Sequence, residues 1–187
     1  MKNFLRAFNI LTNNEIDLFE KKAIHKKIKK GDFFIKEGQT SKEIGFVISG
    51  LFRSFYHSSL EEEVTYCFTF SNTFVSAYSS FLSQEKTAEN IEALTDVELL
   101  IISREEILKL EESSNNWLKL FKLIAEQEYI KMEKRIFLLQ KETAEQRYRD
   151  LLTNEHKLLQ LIPLNYLSSY LGITQRHLSR IRKLISN

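Results

Sequence analysis

Four of the chain's five glycines, Gly31, Gly38, Gly45 and Gly50, fall within 20 residues, between short runs rich in Phe, Ile, Val and Tyr. Breakers at that spacing suit a series of short antiparallel strands joined by tight turns, over residues 31 to about 102. The next glycine is Gly172, and the only proline is Pro163. Between those two punctuated regions the periodicity turns helical. "WLKLFKLIAEQEYIKMEKRIFLLQKE" runs for 26 residues without Gly or Pro, roughly 39 Å at the helical rise per residue. The chain therefore reads as α+β. An N-terminal antiparallel β-roll of the double-stranded β-helix or jelly-roll type spans 1–115, a long helix 116–141, and an all-α domain 142–187.

Local signals fill in these parts. "TNNEIDLF" pairs Thr12 with Glu15 three positions on, a capping-box pattern ahead of Ile16, Leu18 and Phe19, and predicts a short first helix. "VTYCFTF" alternates, with Val64, Tyr66, Phe68 and Phe70 on one face and Thr65, Cys67 and Thr69 on the other. "VELLIIS" reads as a strand buried on both sides. In the long helix Leu123, Ile130 and Phe137 recur every seven residues, as do Leu120, Gln127 and Lys134, a partial heptad with polar interruptions. Such a helix carries more apolar stripe than a small β domain covers, so a homodimer paired along Leu120, Leu123, Gln127, Ile130 and Phe137 is expected. The plainer alternative is a helix packed within one chain. A second helical pattern, "TAEQRYRDLL", is followed by the loop-like "TNEHK".

The net charge of +2 hides an asymmetry. No acidic residue follows Glu155, whereas Lys157, Arg176, Arg180, Arg182 and Lys183 supply +5. Removing those five from the 27 basic residues leaves 22 against 25 acidic, or −3 for the body. A basic tail on a mildly acidic body suits a polyanion partner. The single cysteine, Cys67, excludes a disulfide framework, a Cys-rich zinc site and an iron–sulfur cluster; on its alternating strand it reads as a small buried residue. Neither an apolar run of spanning length nor a signal-peptide core is present, so a cytoplasmic protein without membrane contact is expected.

No nucleophile elbow, P-loop, HExxH or GxGxxG occurs, which points away from an enzyme. Glu61–Glu63 reads as a solvated hairpin turn rather than a calcium loop. His57 lies in a turn-like "FYHSS" and His25 among lysines, both as surface residues without haem-ligand character. No cofactor and no metal are expected.

The chain's end, "LSSYLGITQRHLSRIRKLISN", is the most specific stretch. Leu167, Leu171, Ile173, Leu178 and Ile181 are the apolar positions that let two helices pack across a short turn. Ser168 is the small residue at their close approach, Gly172 supplies the turn and Thr174 can cap the second helix. At 100° per residue, Leu178, Ile181, Leu184 and Ile185 share one arc of that second helix. Gln175, Arg176, Ser179, Arg180, Arg182 and Lys183 share the other. The polar arc joins side chains able to read base edges with phosphate-binding cations, so a DNA-binding helix-turn-helix is favoured over a generic helical hairpin.

"YLGITQRHLSRIRK" resembles the recognition unit of the CRP/FNR family of bacterial transcription regulators, especially its shorter, effector-undefined members. The likeness spans nearly the whole chain. "GDFFIKEGQTSKEIGFVISGLFRSF" resembles the cyclic-nucleotide-binding β-roll opening, with Gly31–Asp32, Gly38 and Gly50 at the family's turn glycines. "IEALTDVELLIISREEILKL" resembles the roll's last strands, and the long helix resembles the dimer helix. The resemblance implies a homodimeric, sequence-specific regulator binding an inverted repeat in double-stranded DNA, its recognition helix of about 174–185 in the major groove. By the same resemblance Gln175, Arg176, Ser179 and Arg180 face bases or nearby backbone, with Thr174, His177 and Lys183 completing the expected DNA-binding set. His177 flanks the arc within reach of a phosphate, and a simple surface role is its plainer reading. One departure is the end of the chain. Family members with a winged domain continue into a strand hairpin, so a C-terminal wing is not expected here, and His156 and Lys157 are the nearest candidates to compensate.

The effector residues depart further. Members that bind cyclic AMP hold the ribose with Gly-Glu and the phosphate with Arg-Ser, a charge-assisted fork. Matched through Phe74 and "IEAL", those positions here are Ser76–Ala77 and Thr87–Ala88. Cyclic AMP binding is therefore not expected. Two readings stay open. The roll holds an unidentified small-molecule effector among Phe74, Ser76, Ala77, Tyr78, Phe81, Thr87, Ala88 and residues of the long helix, or it is a degenerate support for the dimer helix. The alternative for the whole chain is a ligand-binding or protein-interaction module whose helical tail does not read DNA.

Overall fold

The computed structural model describes residues 1–155 and 160–185. Two short helices open the chain, α1 (Lys2–Arg6) and α2 (Asn13–Lys22). Six strands follow: β1 (Ile24–Ile28), β2 (Phe33–Ile35), β3 (Glu43–Ser49), β4 (Phe52–His57), β5 (Glu63–Thr69) and β6 (Phe74–Val75). Helix α3 (Tyr78–Ser83) separates them from β7 (Asn90–Ala93) and β8 (Val97–Ser103). The rest is helical: α4 (Arg104–Ser113), α5 (Asn115–Lys141), α6 (Ala144–Glu155), α7 (Leu164–Leu171) and α8 (Gln175–Ile185). The α+β order read from the glycine spacing is the order observed. Helix α1 lacked a sequence signal, and Thr153–Glu155, read as loop, close α6.

The chain forms two compact units. Met1–Ser54 with Phe68–Glu126 is the first, and Phe55–Cys67 with Gln127–Asn187 the second. The tip of the β4–β5 hairpin thus groups with the C-terminal helices. The strands form two four-stranded sheets, ordered β1-β8-β3-β6 and β2-β7-β4-β5. Strand β8 is central in its sheet, antiparallel to β1 through pairs such as Ile24 with Ile101, and to β3 through Gly45 with Ile101.

In the first unit both sheets feed one apolar core. Ile28, Ile35, Val47, Phe52, Val75, Ala77, Ile91 and Ala93 meet Val97, Leu99 and Ile101 there. The period-two alternation of β8 explains why 97, 99 and 101 share that core while Ile102 joins another. This second core collects Leu5, Ile16, Phe19, Phe81, Ile107, Leu110, Trp117 and Leu120. Trp117 is fully buried and stacks between Phe19, at 5.5 Å between ring centroids, and Phe121, at 5.7 Å. The base of the long helix is thereby fixed to α2.

A polar knot reinforces that junction. Thr12 caps α2: its Oγ1 accepts from the Glu15 N–H at 3.3 Å, and the Glu15 carboxylate accepts from the Thr12 N–H at 2.7 Å. The same carboxylate accepts from Asn116 Nδ2 at 3.2 Å, tying α2 to the first turn of α5. Burial alone would raise the Glu15 pKa. The hydrogen bonds from Ser114, Thr12 and Asn116 outweigh it and hold the group down at about 2. Thr12→Ala is expected to cost about 1 kcal/mol, read by urea unfolding. Because the Glu15 pKa is depressed on folding, its contribution is present in full above the ordinary value of 4.5 and fades as pH falls toward 2. Glu15→Gln should therefore lower the thermal midpoint above pH 4.5, and the gap to wild type should close as the solution is acidified toward pH 2.

Candidate nucleic-acid interface

The C-terminal helices of the second unit are built around a small apolar centre. Leu167, Leu171, Leu178 and Ile181 are buried, and Ile173 is half-buried. Ser168 is 3% exposed and donates its Oγ–H to the Asn165 carbonyl at 2.9 Å, so the small residue at the helix approach also satisfies its own hydroxyl. Helix α7 ends in a Schellman turn: Gly172 N–H donates to Ser169 O and Ile173 N–H to Ser168 O, both at 3.0 Å. Gly172 stands at φ 67°, a left-handed conformation that a side chain would strain. Thr174 then caps α8, its Oγ1 accepting from the His177 N–H at 3.2 Å.

This frame presents Thr174, Gln175, Arg176, His177, Arg180 and Lys183 exposed along α8, with Ser179 half-buried. One assignment is corrected. Arg182 is not part of the free arc: its Nε donates to Tyr148 Oη at 3.1 Å, tethering α8 to the buried Tyr148 of α6. Leu184 shares the arc of Leu178 and Ile181 but lies beyond the buried part of it, being 68% exposed. It lines a groove of about 290 Å³ with His177, Arg180, Ile181 and residues Thr143–Glu145 at the start of α6. In both cases the position of α6 decides, which the periodicity of α8 alone does not contain. His156 and Lys157 lie outside the described residues.

Helix α7 turns a second face away from this core. Ser169 Oγ accepts from the Thr65 N–H at 2.9 Å and lies 3.2 Å from the Glu63 carbonyl, to which it donates. The neighbouring Tyr170 carbonyl accepts from Arg135 Nη2 of α5, and the Arg135 guanidinium lies 3.6 Å from the Tyr170 ring centroid. Burial pushes the Arg135 pKa down. Its buried Nη1 has no hydrogen-bond partner among the described residues. Arg147 of α6 closes the other end of α5, donating to the carbonyls of Glu142 at 2.8 Å and Leu139 at 3.1 Å. Sequence reading named Ser168 but missed Ser169, Tyr170, Arg135 and Arg147.

These contacts also invert the reading of β5. Its polar residues Thr65 and Thr69 are buried, whereas Tyr66 is 39% exposed and Cys67 is half-buried rather than enclosed. The hairpin tip faces α7, and a threonine there keeps its backbone donor paired with a serine. On α5, Leu120 is withdrawn from any seam, being fully buried beside Trp117 in the second core. Leu123 is half-buried and Gln127 exposed. Tyr129, Ile130, Met132, Ile136 and Phe137 are 47 to 67% exposed.

The residues grouped as an effector site sit in different local settings. Ala77 is in the core between the sheets, and Phe74 packs edge-on to Phe46 and Phe4. Tyr78 stacks on Phe81 with its ring partly exposed. Ser76 Oγ donates to the Glu43 carbonyl at 3.2 Å. Thr87 is buried, its N–H donating to Gln39 O at 2.8 Å, while Ala88 is exposed. The intervening loop is zipped by its own side chains. Ser80 Oγ accepts from the Ser41 N–H and donates to Glu85 O, and Gln84 Nε2 donates to Phe81 O at 2.8 Å.

An antiparallel roll, a long helix and two helices joined by a short turn follow one another along the chain. The chain has the fold of the CRP/FNR transcription regulators. Residues 25–114 match the cyclic nucleotide-binding domain family. FixK2 from Bradyrhizobium japonicum is 18% identical with a TM-score of 0.77, the match covering 88% of this chain and 84% of that one. A protein from Eubacterium rectale assigned to the CRP/FNR family is 18% identical with a TM-score of 0.74, over 98% and 88% of the two chains. CLP of Xanthomonas campestris, a global regulator responsive to c-di-GMP, is 14% identical with a TM-score of 0.74, over 94% and 92%. No curated protein sequence matches the chain. Among the described residues no helix is long and apolar enough to cross a membrane.

Proposed function

We propose that the chain is a non-catalytic, sequence-specific DNA-binding transcription regulator acting as a homodimer, with α8 in the major groove. One observation carries this reading. A helix capped by Thr174 and packed through Leu178 and Ile181 leaves Gln175, Arg176, His177, Arg180 and Lys183 exposed together. Arg presents two donors to guanine O6 and N7 in the major groove, Gln donates to adenine N7 while accepting from its N6 amino group, and Lys183 suits a phosphate. The domains follow the division 1–115, 116–141 and 142–187. Selection of duplexes from a random library with the full-length protein at physiological salt tests the reading. An inverted repeat with half-sites about one helical turn, roughly 34 Å, apart is the expected result. Recovery of no enriched sequence would count against it.

The roll acts in this proposal without cyclic AMP or cyclic GMP. Ser76–Ala77 and Thr87–Ala88 provide neither a ribose carboxylate nor a phosphate fork, and Thr87 is buried in its own loop's hydrogen bonding. Calorimetry with either nucleotide should show no micromolar binding, and a micromolar constant for either would end this part of the proposal.

A further inference from the structure

The two adjacent residues Ser169 and Tyr170 sit on the face of α7 that does not pack on α8. Ser168, one position earlier, lies in the helix-pair core. Each of the pair is gripped by a different element. Ser169 exchanges hydrogen bonds with the backbone of Thr65 and Glu63, on the β4–β5 hairpin. Tyr170 is held by Arg135, through its carbonyl and across its ring. Both grips lie within one compact unit. The hairpin strands nevertheless continue into the other: Phe52–Ser54 of β4 and Phe68–Thr69 of β5 belong to the roll. A hydroxyl that donates to one backbone group and accepts from another fixes both the position and the rotation of the helix carrying it.

From this geometry we infer that Ser169 and Tyr170 are positioning residues, through which the β4–β5 hairpin and the long helix hold the reading head in its DNA-binding orientation. Fixing Ser169 fixes α8 as well, because α7 and α8 share one core. This role rests on the DNA-reading proposal above. A head held in one orientation presents α8 ready for the groove, whereas a released head is competent only part of the time, which weakens apparent affinity by that fraction.

Ser169→Ala tests this without threatening the fold. The residue is half-buried, alanine favours the helix, and neither Leu167 nor Leu171 is touched. The probe is a duplex selected by the full-length wild-type protein. Apparent affinity should fall roughly three- to tenfold. The slope of log affinity against log salt should stay unchanged, because no phosphate contact is removed. Ser169→Thr, which keeps the hydroxyl, should restore binding. The Thr65 amide reports on the bond without DNA: its hydrogen exchange should be slow in wild type and in Ser169→Thr, and at least about tenfold faster in Ser169→Ala. Equal Thr65 exchange in wild type and Ser169→Ala would remove the contact. Affinity in Ser169→Ala equal to or above wild type, with faster Thr65 exchange, would remove the positioning role while leaving DNA reading in place. A wild type that binds no duplex would fail the DNA reading itself and this role with it.

Discussion

Arg176→Ala combined with Arg180→Ala is expected to abolish specific DNA binding at physiological salt while leaving the fold intact. Both side chains are exposed on α8, and alanine is a better helix former than arginine, so the thermal midpoint should hardly move. A bidentate base contact contributes about 1–3 kcal/mol of discrimination. Two from each subunit of the dimer make four, which corresponds to about 4–12 kcal/mol, a constant weaker by roughly a thousandfold or more. Fluorescence anisotropy against a selected duplex and a scrambled one separates the possible roles. Weakening confined to the selected duplex marks base reading. Equal weakening on both, with a shallower salt dependence, marks phosphate contact. Lys183→Ala supplies the comparison, because a lysine on a phosphate should weaken both duplexes and reduce the salt slope by about 1.8, about 0.9 for each subunit of the dimer. A double variant that binds the selected duplex like wild type would show that α8 is not the reading helix.

What the residues reveal before folding depends on how far apart the partners are. Leu167, Leu171, Leu178 and Ile181 lie within 15 positions, and their spacing with Gly172 is enough to define the paired helices, as observed. The Thr12–Glu15 box is equally local and equally legible. Arg182 departs from the wheel because a helical wheel describes one helix and ignores α6, whose Tyr148 takes Arg182 out of the polar arc. Leu120 fits a heptad as well as Leu123 does, yet Trp117 and Phe19 draw it into the core. Strand β5 shows the limit most clearly. Its alternation separates two faces, and the hydroxyl that accepts from the Thr65 N–H belongs to Ser169, 104 residues away. Periodicity carries no information about such a partner, so the clamp on α7 was beyond the reach of pattern reading.

The remaining large effect concerns the long helix. Ile130 and Phe137 are seven residues apart on α5 and 47% and 56% exposed, with Tyr129, Met132 and Ile136 exposed around them. A strip of this composition on one helix is costly to leave in water, and a two-fold partner presenting the same strip covers it with itself. Burying one such side chain contributes about 1.5–3 kcal/mol. Because Ile130 and Phe137 are already about half-buried, four of them in a symmetric pair, two from each chain, would supply about 3–6 kcal/mol before the cost of association. Ile130→Glu combined with Phe137→Glu removes that gain and places four carboxylates in the seam. Light scattering should give twice 22.1 kDa for wild type and 22.1 kDa for the variant at micromolar concentration. Binding to an inverted repeat should fall together with the dimer, by about 10²- to 10⁴-fold, because the second head is no longer delivered at high effective concentration. Each isolated head should still bind a single half-site with the salt slope expected of one subunit. A wild type that stays monomeric at high concentration, or a variant that stays dimeric, would place the subunit contact elsewhere or remove it. The monomeric variant also isolates the role of Ser169, since the clamp on α7 is intramolecular and should show the same slow Thr65 exchange with or without a partner subunit.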